Sequence, residues 1–202
     1  MIKNLIFDFG GVLYKINPYL TIQSFAKFTS DIEKFQQALK SQSYKKHIKE
    51  FEKGNLNSNQ FRQQMKKEFD LYCNNLEFDN AWNNLLIGIM DFSIPLIEQL
   101  KQNYNIYLLS NTNIIHYNHF LPQCRELFAL FNKCFFSYKI GSVKPENEIF
   151  NYLLARTNIN TDETIFIDDS KENIISANEL GFQTFLVENS NTPHILKFLY
   201  YE

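Results

Sequence analysis

Hydrophobic residues follow two different rhythms along this chain. From about residue 92 onward, short unbroken apolar runs alternate with stretches of helical spacing. The runs Asn105-Ile106-Tyr107-Leu108-Leu109, Cys134-Phe135-Phe136-Ser137, Thr164-Ile165-Phe166-Ile167 and residues 183–187 predict strands. Residues 94–100, 146–156 and 171–180 predict helices, with Pro95 and Pro145 in or just before first turns and Gly181 as a left-handed cap. Near the N-terminus, Leu5-Ile6-Phe7 is a further run of the same kind. Apolar runs without a polar alternate belong to strands covered on both faces of a parallel sheet. Their alternation with helices predicts a doubly wound, Rossmann-like α/β core.

Between Leu13 and about Met90 the rhythm changes. Phe25, Phe28 and Ile32, then Phe61, Met65 and Phe69, recur at helical spacing with almost no strand signal. Gly54 and Asn57-Ser58 supply a break and a cap. The segment is expected to be an inserted α-helical cap over residues 15–90, dividing the core into residues 1–14 and 91–202. Its Phe, Tyr and Met residues are expected to form the cap's own interior.

Composition narrows the class. With 202 residues and 45% hydrophobic content, the chain has material for one sizeable core plus an insertion. A net charge of -2 gives no global electrostatic case for nucleic acid or an anionic membrane. The local basic run Tyr44-Lys45-Lys46-His47 is expected to be a solvated helix face. Cys73, Cys124 and Cys134 make neither a disulfide framework nor a zinc pattern, which suits a reducing compartment. No stretch approaches a membrane span. The opening run is too short for a signal peptide and meets Asp8, so a cytoplasmic location is expected. Nothing in the sequence separates a monomer from a homodimer.

The chemistry sits where the apolar runs stop. Asp8 follows the first run, Ser110 ends the second, and Asp168-Asp169 end the strand at residue 167. Lys144 lies in the loop Gly141-Ser142-Val143-Lys144-Pro145. In open α/β sheets, ligands bind beyond the carboxyl ends of the strands. Phosphoryl transfer needs such a set. An aspartate serves as nucleophile, and a hard cation such as magnesium takes carboxylate oxygens, here Asp8 with Asp169. A hydroxyl and an ammonium meet the phosphoryl oxygens. Adjacent carboxylates repel unless a cation or Lys144 offsets them.

Four motifs together resemble the haloacid dehalogenase-like superfamily, and most of all its phosphatases with a helical cap after the first motif. They are Asp8-Phe9-Gly10-Gly11-Val12, Leu109-Ser110-Asn111, Gly141-Ser142-Val143-Lys144-Pro145 and Ile167-Asp168-Asp169-Ser170. The resemblance covers the whole chain. It implies Asp8 as nucleophile and magnesium ligand, with Asp169 binding the metal directly and Asp168 beside it. It also implies a main-chain metal contact at Gly10, phosphate binding by Ser110, Asn111 and Gly11, and Lys144 steadying both nucleophile and phosphate.

One position departs from the family. Most of these phosphatases carry a second aspartate two residues after the nucleophile, which protonates the leaving group and later activates water. Here that residue is Gly10. The shuttle it removes is worth about 10²–10⁴-fold in rate. Either the substrate has a good leaving group or another residue supplies the proton. His116, six residues after Ser110 at the start of the next predicted helix, is the expected substitute. The run Ser110-Asn111-Thr112-Asn113-Ile114-Ile115-His116 also resembles a subgroup with the same glycine, some members of which act on sugar phosphates.

The function expected is a magnesium-dependent phosphatase of a small phosphorylated metabolite, since a cap of this size closes over its site. Three rivals stand beside it. A 2-haloacid dehalogenase needs no second aspartate but leaves Asp168-Asp169 unexplained. A phosphate- or metal-binding regulatory protein would retain the fold without turnover. A phosphotransferase would pass the phosphoryl group to another acceptor than water.

Overall fold

The computed structural model describes residues 1–201, with side chains through residue 199. The central sheet contains β1 (Asn4–Phe7), β4 (Asn105–Ser110), β5 (Lys133–Phe136), β6 (Thr164–Asp168) and β7 (Gln183–Leu186). All pairings are parallel and the spatial order is β5-β4-β1-β6-β7. β1 lies in the middle because all four of its residues are apolar or internally bonded and buried. Successive side chains leave a strand on opposite faces. Leu5 and Phe7 therefore meet one apolar cluster, with Ile97, Phe120 and Leu127, while Ile6 meets another, with Ile149, Phe150 and Leu153.

The helices α6 (Ser93–Leu100) and α7 (Ile114–Ala129) cover the first face. The second is covered by α9 (Asn147–Thr157) and α10 (Lys171–Glu179). α9 begins at Asn147, one residue later than the sequence suggests, with Glu146 as its N-cap. Gly181 has the predicted left-handed φ of 88°. Between the faces and the edge lie a one-turn helix α8 (Ser137–Ile140) and a final helix α11 (Ile195–Tyr201).

Five helices connect β1 to the rest: α1 (Pro18–Phe25), α2 (Ile32–Leu39), α3 (Gln42–Glu52), α4 (Ser58–Phe69) and α5 (Asn75–Asn83). α4 and α5 both start with reciprocal capping boxes, Asn57 with Gln60 and Asn74 with Glu77. Their apolar sides share one interior, which includes Phe25, Phe35, Phe61, Met65, Phe69 and Trp82. Ile32 departs from expectation: it is the first residue of α2 and stands 46% exposed. Lys45 and Lys46 face solvent as expected, and all three cysteines are free thiols.

The segment is not wholly helical. β2 (Tyr14–Ile16) pairs antiparallel with β3 (Leu86–Ile89), forming a two-stranded ribbon where chain leaves and re-enters the core. Strands this short carry too few residues to show a period of two. No helix among the described residues is long and apolar enough to cross a membrane.

The C-terminal end of α3 is tied to the core. Lys49 and Lys53 reach Glu146 Oε1 at 2.9 and 2.7 Å. Gly54, with φ of 73°, passes so close to α8 that a Cβ there would stand 2.3 Å from the Tyr138 carbonyl oxygen. Partial burial works against the Glu146 charge, but bonds from Lys53, Lys49 and Ser142 outweigh it and hold the carboxyl near 2 instead of 4.5. A depressed carboxyl contributes fully above its unfolded value and loses that contribution as pH falls through its folded value. Amide exchange in residues 42–54, corrected for intrinsic rates, should therefore speed up as pH drops from 4.5 toward about 2. In Glu146→Gln that acid-dependent step should be absent.

Candidate active site

Three adjacent strand ends build the site. β4, β1 and β6 are neighbours, so Ser110, Asp8 and Asp168 emerge side by side at the carboxyl edge of the sheet. The Asp8 amide continues the ladder by donating to the Ile167 carbonyl at 2.8 Å. Lys144 arrives from the loop between α8 and α9 and lies between two acids. Its Nζ donates to Asp8 Oδ1 and to Asp168 Oδ2, each at 2.6 Å. Lys144, Asp8 and Asp168 are all buried.

Two side chains fix this arrangement: Asn111, expected only at the phosphate, and Asn173, which the sequence did not single out. The Asn111 amide clasps the Lys144 main chain from both sides: Nδ2 donates to the carbonyl at 2.9 Å, and Oδ1 accepts from the amide at 2.8 Å. Asn173 Nδ2 donates to both Asp168 oxygens, and the Ser170 amide donates to Oδ1. Asp168 thus has its lone pairs occupied, whereas Asp169 stands at the exposed rim. The Ser110 hydroxyl has only a long contact, 3.4 Å, to the Asn111 carbonyl.

The charges do not balance. Asp8, Asp168 and Asp169 each offer a carboxylate oxygen, and these atoms lie within 4.8 Å of one another. One ammonium faces three carboxylates, which leaves a deficit of two positive charges. Burial, followed by repulsion from Asp168, lifts Asp8 well above the usual carboxylate range despite Lys144. Asp169 is also raised, by desolvation and then by Asp168. Burial disfavours the Lys144 charge, but Asp168 and Asp8 overcome this and keep its pKa raised. Excess negative charge on hard oxygen donors fits a hard divalent cation.

The glycines after Asp8 have distinct geometry. Gly11 has φ of 80°, and a Cβ on it would fall 2.1 Å from Asp169 Oδ2. Only a hydrogen at this position lets the carboxylate lie over the loop. A Cβ on Gly10 would instead meet Ile16 methyl carbons at 3.4 and 3.7 Å, ordinary contact distances. Apolar Ile16 therefore borders the space that a side chain at position 10 would enter.

Above the strand ends is a cavity of about 270 Å³, bounded below by Gly10, Ser110 and Asn111 and above by Ile48, Glu52 and Trp82. His116 reaches this cavity, where its surroundings disfavour the protonated form that the expected neutral-pH proton donor would need. Its ring stacks on Trp82 at 5.0 Å and 9°. Its Nδ1 lies 2.9 Å from Asn83 Oδ1, an acceptor, which assigns the proton to Nδ1. Burial, with a smaller contribution from His119, lowers its pKa to about 3. The shift runs away from the charged, proton-donating form, and the ring lines the cavity beside Trp82.

Glu52, on the last turn of α3, was not singled out by the sequence. Its neighbours Lys45, Lys46, Lys49 and Glu50 make the region look solvated, yet it lies four residues after Ile48 and eight after Tyr44, on the side that lines the cavity. That spacing is the signal that could have found it.

Parallel α/β topology with acidic strand ends and an inserted helical segment defines a class of hydrolases, and comparison gives the family. The model of the haloacid dehalogenase-like hydrolases matches residues 2–181. The chain belongs to that family. It is 32% identical over 199 residues to a D-ribitol-5-phosphate phosphatase of Bacteroides thetaiotaomicron, covering 94% of this chain and 93% of that one. It is 26% identical over 180 residues to the sesquiterpene phosphatase astK of Aspergillus oryzae, covering 89% and 86%. Among solved structures, a HAD family enzyme from Bacteroides thetaiotaomicron, in complex with magnesium and inorganic phosphate, superimposes with a TM-score of 0.83 at 30% identity, over 96% of this chain and 99% of that one.

Proposed function

We propose that this hydrolase is a magnesium-dependent phosphatase of a small phosphorylated metabolite, working through a phospho-Asp8 intermediate. The observation that carries this reading is the Asp8 carboxylate, oriented by Lys144 beside an acidic pair that lacks balancing charge. Asp8, Asp169 and the Gly10 carbonyl would hold magnesium, with Asp168 supporting from beside Lys144; the bound ion would neutralise charge on the phosphoryl oxygens and on Asp8.

The protein residues perform the rest. Lys144 holds the Asp8 carboxylate in place and draws negative charge from the phosphoryl group. The Ser110 hydroxyl, without a strong internal partner, donates to a phosphoryl oxygen, as does the main-chain amide at Asn111; the Gly11 amide instead donates to the Tyr14 carbonyl at 2.9 Å and closes the loop. Asp8 attacks phosphorus and the alcohol departs into the cavity. Water then attacks the phosphorus of the acyl phosphate, releasing inorganic phosphate and restoring Asp8. The relatives bracket the leaving group between a polyol and a terpenoid alcohol. The cavity offers both mostly apolar walls and a few polar groups near its floor.

The test is phosphate release from sugar 1-phosphates, D-ribitol 5-phosphate and farnesyl phosphate, each with magnesium and with a chelator. Turnover that disappears on chelation supports the reading. Turnover undiminished by chelation contradicts it, and magnesium binding without any turnover transfers support to the regulatory-protein alternative. Gly11→Ala supplies an independent check on the metal ligands. Its Cβ must displace the Asp169 carboxylate, so magnesium affinity should fall by at least about tenfold, comparable to losing the support of a metal ligand. Calorimetric titration measures this directly.

A further inference from the structure

We propose that Glu52 is the general acid of this enzyme, supplying from the cap the proton that Gly10 cannot. The inference rests on the phosphatase reading and assigns one further catalytic residue to it.

Four observations carry it. Glu52 lines the same cavity as Gly10 and Ser110, entering from the side opposite the strand ends. Its carboxylate, half-buried in the cavity wall, has no hydrogen bond and no ion pair among the described residues. A half-buried carboxyl without a partner, set in a cavity wall beside charged groups, is a candidate functional group. It also stands apart from the metal-binding set, which among the described residues comprises Asp8, Asp168 and Asp169 alone.

Its position is fixed by its neighbours in the helix. Phe51 is buried and stacks on Phe61 at 4.1 Å and 12°. On the other side, Lys53 and Gly54 dock on Glu146 and the Tyr138 carbonyl. Glu52 lies between these anchors and is close enough to Asp8 and Lys144 for their charges to influence it. Burial, offset in part by Lys144 and reinforced by Asp8, lifts its pKa to about 7. The other ionisable groups of the cavity suit the task less well. His116 lies near 3, Tyr14 is pushed up to about 12, and Tyr44 is raised above its already high ordinary value.

The steps balance. Asp8 oxygen bonds to phosphorus as the ester P–O bond breaks, and the departing oxygen takes the Glu52 proton to leave as a neutral alcohol. The Glu52 carboxylate then accepts a proton from water as the water oxygen bonds to phosphorus. The acyl P–O bond breaks, inorganic phosphate leaves, and Asp8 and protonated Glu52 are restored.

Glu52→Gln keeps the shape and removes the proton. Two substrates of similar size separate a lost acid from a damaged site. p-Nitrophenyl phosphate expels a stable phenolate unaided, whereas benzyl phosphate must expel an alkoxide. The quantity to compare is kcat/KM, which covers steps through alcohol release. Benzyl phosphate should lose about 10²-fold or more, the range of general acid catalysis, while p-nitrophenyl phosphate stays near wild type. Equal losses on both, or no loss on benzyl phosphate, overturn the assignment. A wild-type enzyme inactive on both substrates and on the whole metabolite panel above overturns the phosphatase reading itself, a failure visible before any variant is made.

Discussion

Asp8→Asn should abolish turnover while leaving the fold intact or slightly more stable. The amide removes the nucleophilic oxygen anion, so no acyl phosphate forms, and the rate should drop on the order of 10³-fold or more. Stability should move the other way. Burial and the nearby acids raise the folded pKa of Asp8 above its ordinary value, so its charged form costs stability at neutral pH. An uncharged isostere relieves that cost and leaves Lys144 paired with Asp168. Phosphate release and thermal melting of the metal-free protein, measured together, check both halves. A variant that is inactive because it is unfolded would contradict this account of the site.

Lys144→Met should be the most damaging change to stability. It leaves two buried carboxylates facing each other with no cation, and breaking a buried ion pair in this way costs about 3–5 kcal/mol. The penalty has a defined pH dependence. As pH falls, the raised Asp8 carboxyl binds a proton in the folded variant and the repulsion fades, so the gap from wild type should narrow toward acid. In wild type, the raised Lys144 pKa means its contribution is fully present below the unfolded lysine value and is lost only as pH rises through the folded one. Urea unfolding of both proteins at neutral and acidic pH measures the gap. A gap that does not change with pH contradicts a charge-based role.

Most of the core was legible because its signals are local. Ile6 and Phe166 sit in runs whose neighbours are apolar on both sides, which only a two-faced sheet position explains. Asp8, Ser110 and Asp168 follow such runs directly, so finding the strands also found the residues. α4 was equally plain, with Phe61, Met65 and Phe69 at i, i+4 and i+8. The ribbon of β2 and β3 was hidden by its shortness and by Gly88, and the four residues of α8 are too few for a helical period.

What failed to show in the sequence depends on contacts between distant segments. Asn111 reads as part of a phosphate loop, and only the fold reveals its amide clasping Lys144. His116 reads as a titratable group at a helix start; its burial against Trp82 and Asn83, contributed by α5, shifts its titration downward. Glu52 is hidden among lysines, and its proximity to Asp8 and Lys144 exists only because α3 docks across the strand ends.

The phospho-Asp8 intermediate is the centre of the account, and trapping it is the most direct measurement. The enzyme, turning over its best substrate with magnesium, is quenched in acid and digested, and the peptide spanning residues 4–15 is weighed. The account predicts one phosphoryl group on that peptide, located at Asp8 by fragmentation and absent when magnesium is chelated. Steady magnesium-dependent phosphate release in single-turnover experiments sampled from mixing to completion, with no phosphoryl group on that peptide at any time, would contradict it.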